Sequence, residues 1–548
     1  MKTKYISVKV IILKIMFFVF LIVPICVFSQ NYTLVGDRSF GTIGGEGDAI
    51  VFSYQGRILI AGYSSYTGIN GDKTEASCST LPIESDVWML FVDENFNIIW
   101  DKTLGGLGRD EIHDISLGLN NSIVLTGETL SDSSCEISTD TRGVTDIWLI
   151  MVDSNGNKLH DARYGSSLSD FGGKLIRDQN SDFLIFGSSL GGISGDKTTA
   201  GYGGYDFWLI RTDSVGSKLW DKTYGGSGSE LAFSRTDYAL SNIRNSEFVI
   251  CGRTNSNQSG TISTNGFGFF DIWVAKIDQV GLVQWDKRLG GNYHEYVRKI
   301  VDVQDGYILI GSSTSKFGGT ISDTGIAQTD VWIVKIDTLG NQLWEKRLGG
   351  INDDYGVDIQ ESPDGGYWIL ANTNSPAGYD ISENSYGGSD YWIFKIDSIG
   401  NKIWDKRFGG PGNDFASSFI VMPDSSIFIG GDAASGISPV KTDSGKGGRD
   451  YWIVHFNYYN NTTGIHSTNA ANGITVSPNP TKDIINFKGL PLGQYEAILF
   501  GVDGRLIKRS LLQGGNEVSY SLNDVSPGMY LLRFNGDKFI ATVKVLKE

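Results

Sequence analysis

The chain has 548 residues, a formal net charge of -16, 12% aromatic and 20% charged residues, 71 glycines and four cysteines. So acidic a balance disfavours nucleic acid and anionic membrane surfaces as partners and is usual for an extracellular domain.

The first segment is basic and then apolar. Lys2, Lys4, Lys9 and Lys14 precede an apolar stretch over residues 15–28. This reads as a secretory signal, residues 1–29, cleaved after Ser29. It is short for a membrane span. Cys26 follows Ile25, where a lipoprotein signal needs a small residue, so lipidation is not expected. Removal of four lysines and no acids takes the charge to -20.

Residues 30–460 repeat. A tryptophan preceded two residues earlier by aspartate recurs at Trp88, Trp148, Trp208, Trp273, Trp332, Trp392 and Trp452, with spacings of 60, 60, 65, 59, 60 and 60 residues. Each unit holds four short runs rich in Ile, Val, Phe, Tyr and Trp, bounded by Gly, Asn, Asp or Ser, which is strand composition. In the run at 390–397, Trp392, Phe394 and Ile396 alternate with Tyr391 and Ile393, so both faces are apolar and both need cover. Four-stranded sheets sandwiched between neighbours and repeated radially are propeller blades. The expected fold is all-β: a seven-bladed β-propeller followed by a small β-sandwich.

The ends of the array predict how it closes. Trp100, Trp220, Trp285, Trp344 and Trp404 stand twelve residues after the first tryptophan, with His160 in the second repeat, but the seventh repeat lacks this strand. Residues 37–41, Asp-Arg-Ser-Phe-Gly, match residues 405–409, Asp-Lys-Arg-Phe-Gly, so the N-terminal strand is expected to complete the last blade and remove the open edges. The Gly-Gly turn, acidic residue and Asp-x-Trp-Ile-x-Lys strand resemble the β-propeller repeats of secreted bacterial proteins. That resemblance implies a fold and hardly a function.

One carboxylate per repeat lies four residues past the second position of each Gly-Gly-like turn: Glu46, Asp110, Asp170, Glu230, Glu295, Asp354 and Asp414. Such a circle is a candidate ring for a cation, calcium being the one it would take, or for sugar hydroxyls. The plainer reading is turn stapling through backbone N–H groups. Asp86, Asp146, Asp206, Asp271, Asp330, Asp390 and Asp450 of the Asp-x-Trp pairs read as structural caps, and the tryptophans as core wedges. The long loop before each Asp-x-Trp strand is the most divergent part of the repeat, and Tyr66, Tyr202, Phe267 and Tyr386 on it are candidates for stacking on sugars. Cys78 and Cys135 occupy comparable loops in repeats one and two, within reach of a disulfide in an oxidising compartment. The histidines, at 113, 160, 294, 455 and 466, show no metal-ligand spacing, and neither a Gly-x-Ser-x-Gly elbow nor a phosphate loop is present. No catalytic residue, metal or other cofactor is assigned.

Residues 461–473 read as a polar linker. From 474 to 548, alternating apolar positions separated by turns indicate the second domain. Its Ser-Pro-Asn-Pro opening with Pro478, Asn479 and Pro480, its Asp503-Gly504 turn before a basic strand, and its Pro527-Gly528-Met-Tyr530 strand resemble the type A sorting domain of Bacteroidota type IX secretion cargo. The resemblance implies contact with the secretion machinery, removal by a sortase-like peptidase, and release or attachment to surface lipopolysaccharide. The functional expectation is a secreted or surface-bound, monomeric, non-catalytic binding or adhesion module for an extracellular glycan or protein. The alternatives are a polysaccharide-active enzyme using acids on the long-loop face, and a structural surface component.

Overall fold

The computed structural model describes residues 32–458, apart from 80, 82–83, 232–237, 243–246, 363–364 and 423, and residues 475–547, apart from 478–480, 502–505 and 536–539. The expected signal segment, the expected linker, and the sorting-motif residues Pro478, Asn479, Pro480, Asp503 and Gly504 lie outside the described residues. The chain divides into two compact units, one of them Tyr32–Tyr458.

Among the described residues, that unit is built from seven antiparallel sheets of the same order. Blade two is representative: Asp110–Leu117, Ile123–Thr129, Asp146–Val152 and Lys158–Tyr164 pair in chain order. Its third strand, reading Asp-Ile-Trp-Leu-Ile-Met-Val, is buried at every position because it is covered on both faces. Trp148 and Ile150 pack with Leu59, Val87 and Met89 of blade one, while Ile147 and Leu149 pack with Phe183 and Ile185 of blade three. All seven Asp-x-Trp tryptophans are fully buried in this way between blades. In the five blades that have it, the second tryptophan lies half-buried on the outer strand, at Trp100, Trp220, Trp285, Trp344 and Trp404.

The first strand of each blade packs on the blade before it, and Glu46–Tyr54 of blade one packs on Asp414–Val421, Ser426–Ala433 and Asp450–Tyr458 of blade seven. The sheets therefore close into a ring, a β-propeller. The N-terminal strand Tyr32–Phe40 is the outer strand of blade seven, pairing with Asp450–Tyr458 so that Ser39 faces Trp452 and Phe40 faces Tyr451. Asp37 accepts the Trp452 indole N–H at 3.0 Å, as Asp405 accepts that of Trp392 at 3.1 Å inside the continuous blade six. The chain's own start thus supplies the missing strand with the same bond.

Among its described residues the second unit holds five antiparallel strands. The hairpin Ile484–Gly501 with Leu506–Ser521 dominates it, and along Ile484–Gly501 the other partner changes from Thr475–Ser477 to Gly528–Asn535. One strand shared between two sets of neighbours encloses a single core of Ile485, Phe487, Tyr495, Leu499, Leu532 and Phe534. Tyr530 is buried, and its hydroxyl donates to the Ser526 carbonyl at 2.7 Å, holding the turn that contains Pro527.

Candidate functional site

The seven ring carboxylates open the first strands of their blades at zero exposure. Each accepts the backbone N–H of the residue four positions earlier: Thr42 to Glu46 at 3.1 Å, Gly106 to Asp110 and Ser166 to Asp170 at 2.6 Å, Gly226 to Glu230 and Gly291 to Glu295 at 3.0 Å, Gly350 to Asp354 and Gly410 to Asp414 at 2.7 Å. Serine hydroxyls from the neighbouring strand end, including Ser64, Ser131, Ser256 and Ser435, donate to them as well. Burial pushes Glu230 and Glu295 up to about 7 and Asp354 to about 6. This corrects the expectation of a cation or sugar ring. Carboxylates enclosed by the turns they staple present no open face to calcium or to a hydroxyl.

The Asp-x-Trp aspartates do the same for the long loops, in most blades again four residues back: Arg142 N–H to Asp146 at 2.8 Å, Tyr202 to Asp206 at 2.8 Å, Phe267 to Asp271 at 2.7 Å, Ile326 to Asp330 at 3.0 Å, whereas Asp86 takes the Cys78 N–H, eight residues back, at 3.2 Å. Each blade thus carries two acidic staples on one face. The loops carrying Gly-Asp-Lys-Thr at residues 71–74 and 195–198 are tied down further. Lys73 is buried and donates to the Tyr66 carbonyl at 2.7 Å, and Lys197 to that of Gly191 at 2.8 Å, at a loop position occupied in other blades by Ile137, Ile262, Ile321 and Ile381. Cys78 and Cys135 are joined, with their Cα atoms 6.3 Å apart, linking the long loops of blades one and two, and Cys251 is a buried thiol. Tyr202 and Phe267 are 46% and 45% exposed, each ring lying against a left-handed glycine of the next blade's loop, Gly260 and Gly319. Tyr66 and Tyr386 are half-buried, Tyr66 lying against Gly44 and Gly68 and Tyr386 against the core shared by blades six and seven.

The asymmetry of the molecule sits at the ring's centre. In six blades the ladder between first and second strands slips by one residue just inside the ring carboxylate, between Gly47 and Ile50, Ile112 and Asp114, Phe171 and Lys174, Val297 and Lys299, Gly356 and Asp358, and Ala416 and Ser418. The corresponding part of blade four lies outside the described residues. A bulge re-aims the side chains beside it. At these bulges the repeat stops repeating: Asp48, His113, a Gly-Gly pair before Lys174, Arg298, Val357 and Ser417. Asp48 takes a φ of 58°, in the left-handed region that aspartate enters more readily than most residues other than glycine.

These residues line a cavity of about 260 Å³ to which the first strands of six blades contribute, so it is the central channel. A second cavity of about 390 Å³ shares Arg298, Asn372 and Phe415 and extends past Asp353, Asn374 and Asn413 to the long-loop face. The wall is charged in both senses. Arg449 pairs with Asp432 at 3.0 Å and lies 5.1 Å over the Phe415 ring, and burial pushes Asp432 up to about 7. Arg298 and Lys174 stand on the side formed by blades three and five, and Asp48 on that formed by blade one. Such a wall can hold a polar ligand carrying acceptors at one end and donors at the other.

Within blade two, Glu111 lies directly opposite Glu128 in the ladder. Arg109 donates to Glu111 at 2.8 and 2.9 Å and stands 3.7 Å from Glu128, and His113 Nε2 is 3.8 Å from Glu128 Oε2. Burial pushes Glu111 up to about 7; burial also opposes the charge on His113, but Glu128 and Glu111 outweigh it and raise that pKa. Reading the histidines by mutual spacing missed this group, because its carboxylates come from two strands.

Comparison with known proteins bears on the two units unequally. Residues 475–548 match the Secretion system C-terminal sorting domain family. The tail is a type IX sorting domain. It interacts with the type IX machinery and directs the protein to the cell surface or the medium. The chain is 21% identical over 228 residues to the Regulatory protein FlaEY of Caulobacter vibrioides, spanning 39% of this chain and 23% of that protein. Similar solved structures include a protein of unknown function from Dyadobacter fermentans, 7% identical with a TM-score of 0.38, covering 78% of this chain and all of that one. The Neurospora crassa Pan2 WD40 domain is 9% identical with a TM-score of 0.40, over 77% of this chain and 95% of that domain.

Proposed function

We propose that the exported protein is a non-catalytic binding module that takes a polar glycan or protein segment at the channel mouth on its long-loop face. The observation that carries this reading is the divergence at the bulges. Blades that agree at both staples and at the wedge tryptophan differ at Asp48, His113, Arg298, Val357 and Ser417, all lining one cavity. Residues maintaining the scaffold repeat with it, whereas a ligand of low symmetry needs different groups around the ring. After export, a sortase-like peptidase removes the sorting domain and releases the propeller or attaches it to surface lipopolysaccharide. The test is a screen of the full chain against glycans and peptides, repeated with Arg298→Ala and Lys174→Ala. Saturable binding weakened by both supports the reading. Turnover of a bound polysaccharide that Asp432→Asn abolishes would replace it with an enzymatic one, since a protonated carboxyl in a cleft suits a general acid.

A further inference from the structure

The seven blades serve as one another's comparison. The ladder pair just inside the ring carboxylate is Gly47 with Tyr63, Glu111 with Glu128, Phe171 with Ser188, Leu231 with Arg253, Tyr296 with Ser312, Tyr355 with Asn372, and Phe415 with Asp432. Only blade two sets two carboxylates opposite each other. Among the described residues, only blade two follows them with a histidine at the bulge. Like charges directly opposed across a ladder are destabilising, more so when buried, and both glutamates here are nearly inaccessible. A scaffold alone gives no reason for this departure from the other six.

We propose that Glu111, His113 and Glu128 form a site for a divalent transition-metal ion in the wall of the channel. One oxygen of each carboxylate and one imidazole nitrogen lie within 4.8 Å of one another. An ion about 2.1 Å from each ligand sets them roughly 3.4 Å apart, a contraction within reach of side-chain rotation. His113 is 8% exposed, and its Nε2, the atom nearest Glu128, has no hydrogen-bond partner. His113 also lines the central cavity, which supplies the way in. Two oxygens and an imidazole nitrogen suit zinc or manganese better than calcium, which takes oxygens alone. Arg109 holds the position of the competing cation. Its side chain is 35% exposed, so it can swing out as an ion enters between the two carboxylates.

The test is equilibrium dialysis of the metal-stripped full chain against Zn2+. One ion per chain is expected, with affinity about tenfold or more weaker in both His113→Asn and Glu128→Gln, unchanged in Glu295→Gln, and tighter in Arg109→Gln, where the competitor is gone. Co2+ loaded in place of Zn2+ should show visible absorption bands that shift in His113→Asn, a readout independent of whether a variant is destabilised. Zn2+ affinity in His113→Asn and Glu128→Gln equal to that of the unsubstituted chain overturns the proposal. So does an absence of saturable binding in Arg109→Gln, or Ca2+ displacing Zn2+ at equal concentration.

Discussion

Truncating Trp332 to alanine tests the interblade wedge. The side chain is 1% exposed and packs in a cluster with Val249, Cys251, Ile272 and Val274 of blade four and Leu309 and Val334 of its own blade. Removing a buried tryptophan costs about 3–5 kcal/mol through lost transfer energy and the cavity left behind. Its indole N–H donates to Glu345 at 2.5 Å, but Glu345 keeps two donors from Ser322, so no orphaned charge adds to the loss. An unfolding entropy of about 2.1 cal/mol/K per residue over Tyr32–Tyr458 amounts to about 0.9 kcal/mol per kelvin, so Tm should fall by about 3–6 °C. Trp332→Phe keeps a ring in the wedge and loses the N–H, for about 1–2 °C. Trp344→Ala, at the half-buried second tryptophan of the same blade, should fall between the two. Differential scanning calorimetry with a reversibility check measures all three, and a Trp332→Ala loss no larger than that of Trp344→Ala would refute the wedge assignment.

Other perturbations address the staples and the closure. Because burial holds Glu111, Glu230 and Glu295 at about 7, the folded chain keeps protons that the unfolded chain releases near 4.5. Stability should therefore fall as pH rises through this window and level off above it, and Glu295→Gln should flatten the slope by at most about 1.4 kcal/mol per pH unit; a Tm rising from about pH 5 to 7 contradicts this. Reducing the Cys78–Cys135 disulfide, which spans 57 residues, should cost about 4 kcal/mol by the loop-entropy relation, seen as a Tm drop of about 4 °C with reductant; an unchanged Tm denies it a role. Asp37→Ala removes the acceptor of the Trp452 and Thr442 donors, and should speed amide exchange along residues 32–40, whereas Asp405→Ala should not do so along residues 402–408, where both ends of the strand are held by continuous chain.

The fold was legible because repetition amplifies weak signals. One Asp-x-Trp strand could belong to many architectures, but seven at a near-constant spacing fix a blade, and the match of residues 37–41 to 405–409 fixes the strand that closes the ring. The recurring carboxylates were legible as positions and misleading as a ligand ring, since periodicity shows that a residue is needed in every blade without showing which way it points. Zero exposure at Glu46 and its six equivalents decides for the turn. The channel wall was illegible for the converse reason. A bulge adds one residue to a strand without a composition signal of its own, so Asp48, His113 and Arg298 looked like variation inside ordinary strands. Their divergence two or three residues past the ring carboxylate was the available signal. The Glu111–Glu128 pairing lay further out of reach, because residues 17 apart meet only through a ladder register.

The proposed binding site lies at the centre of the ring, where the blades differ. Hydrogen exchange of the full chain, with and without a ligand from the glycan and peptide screen, tests it most directly. Protection concentrated at residues 46–50, 110–114, 295–299 and 414–418 is the predicted result. Protection confined to the outer strands, or to the loop tips around Tyr202 and Phe267, would contradict it.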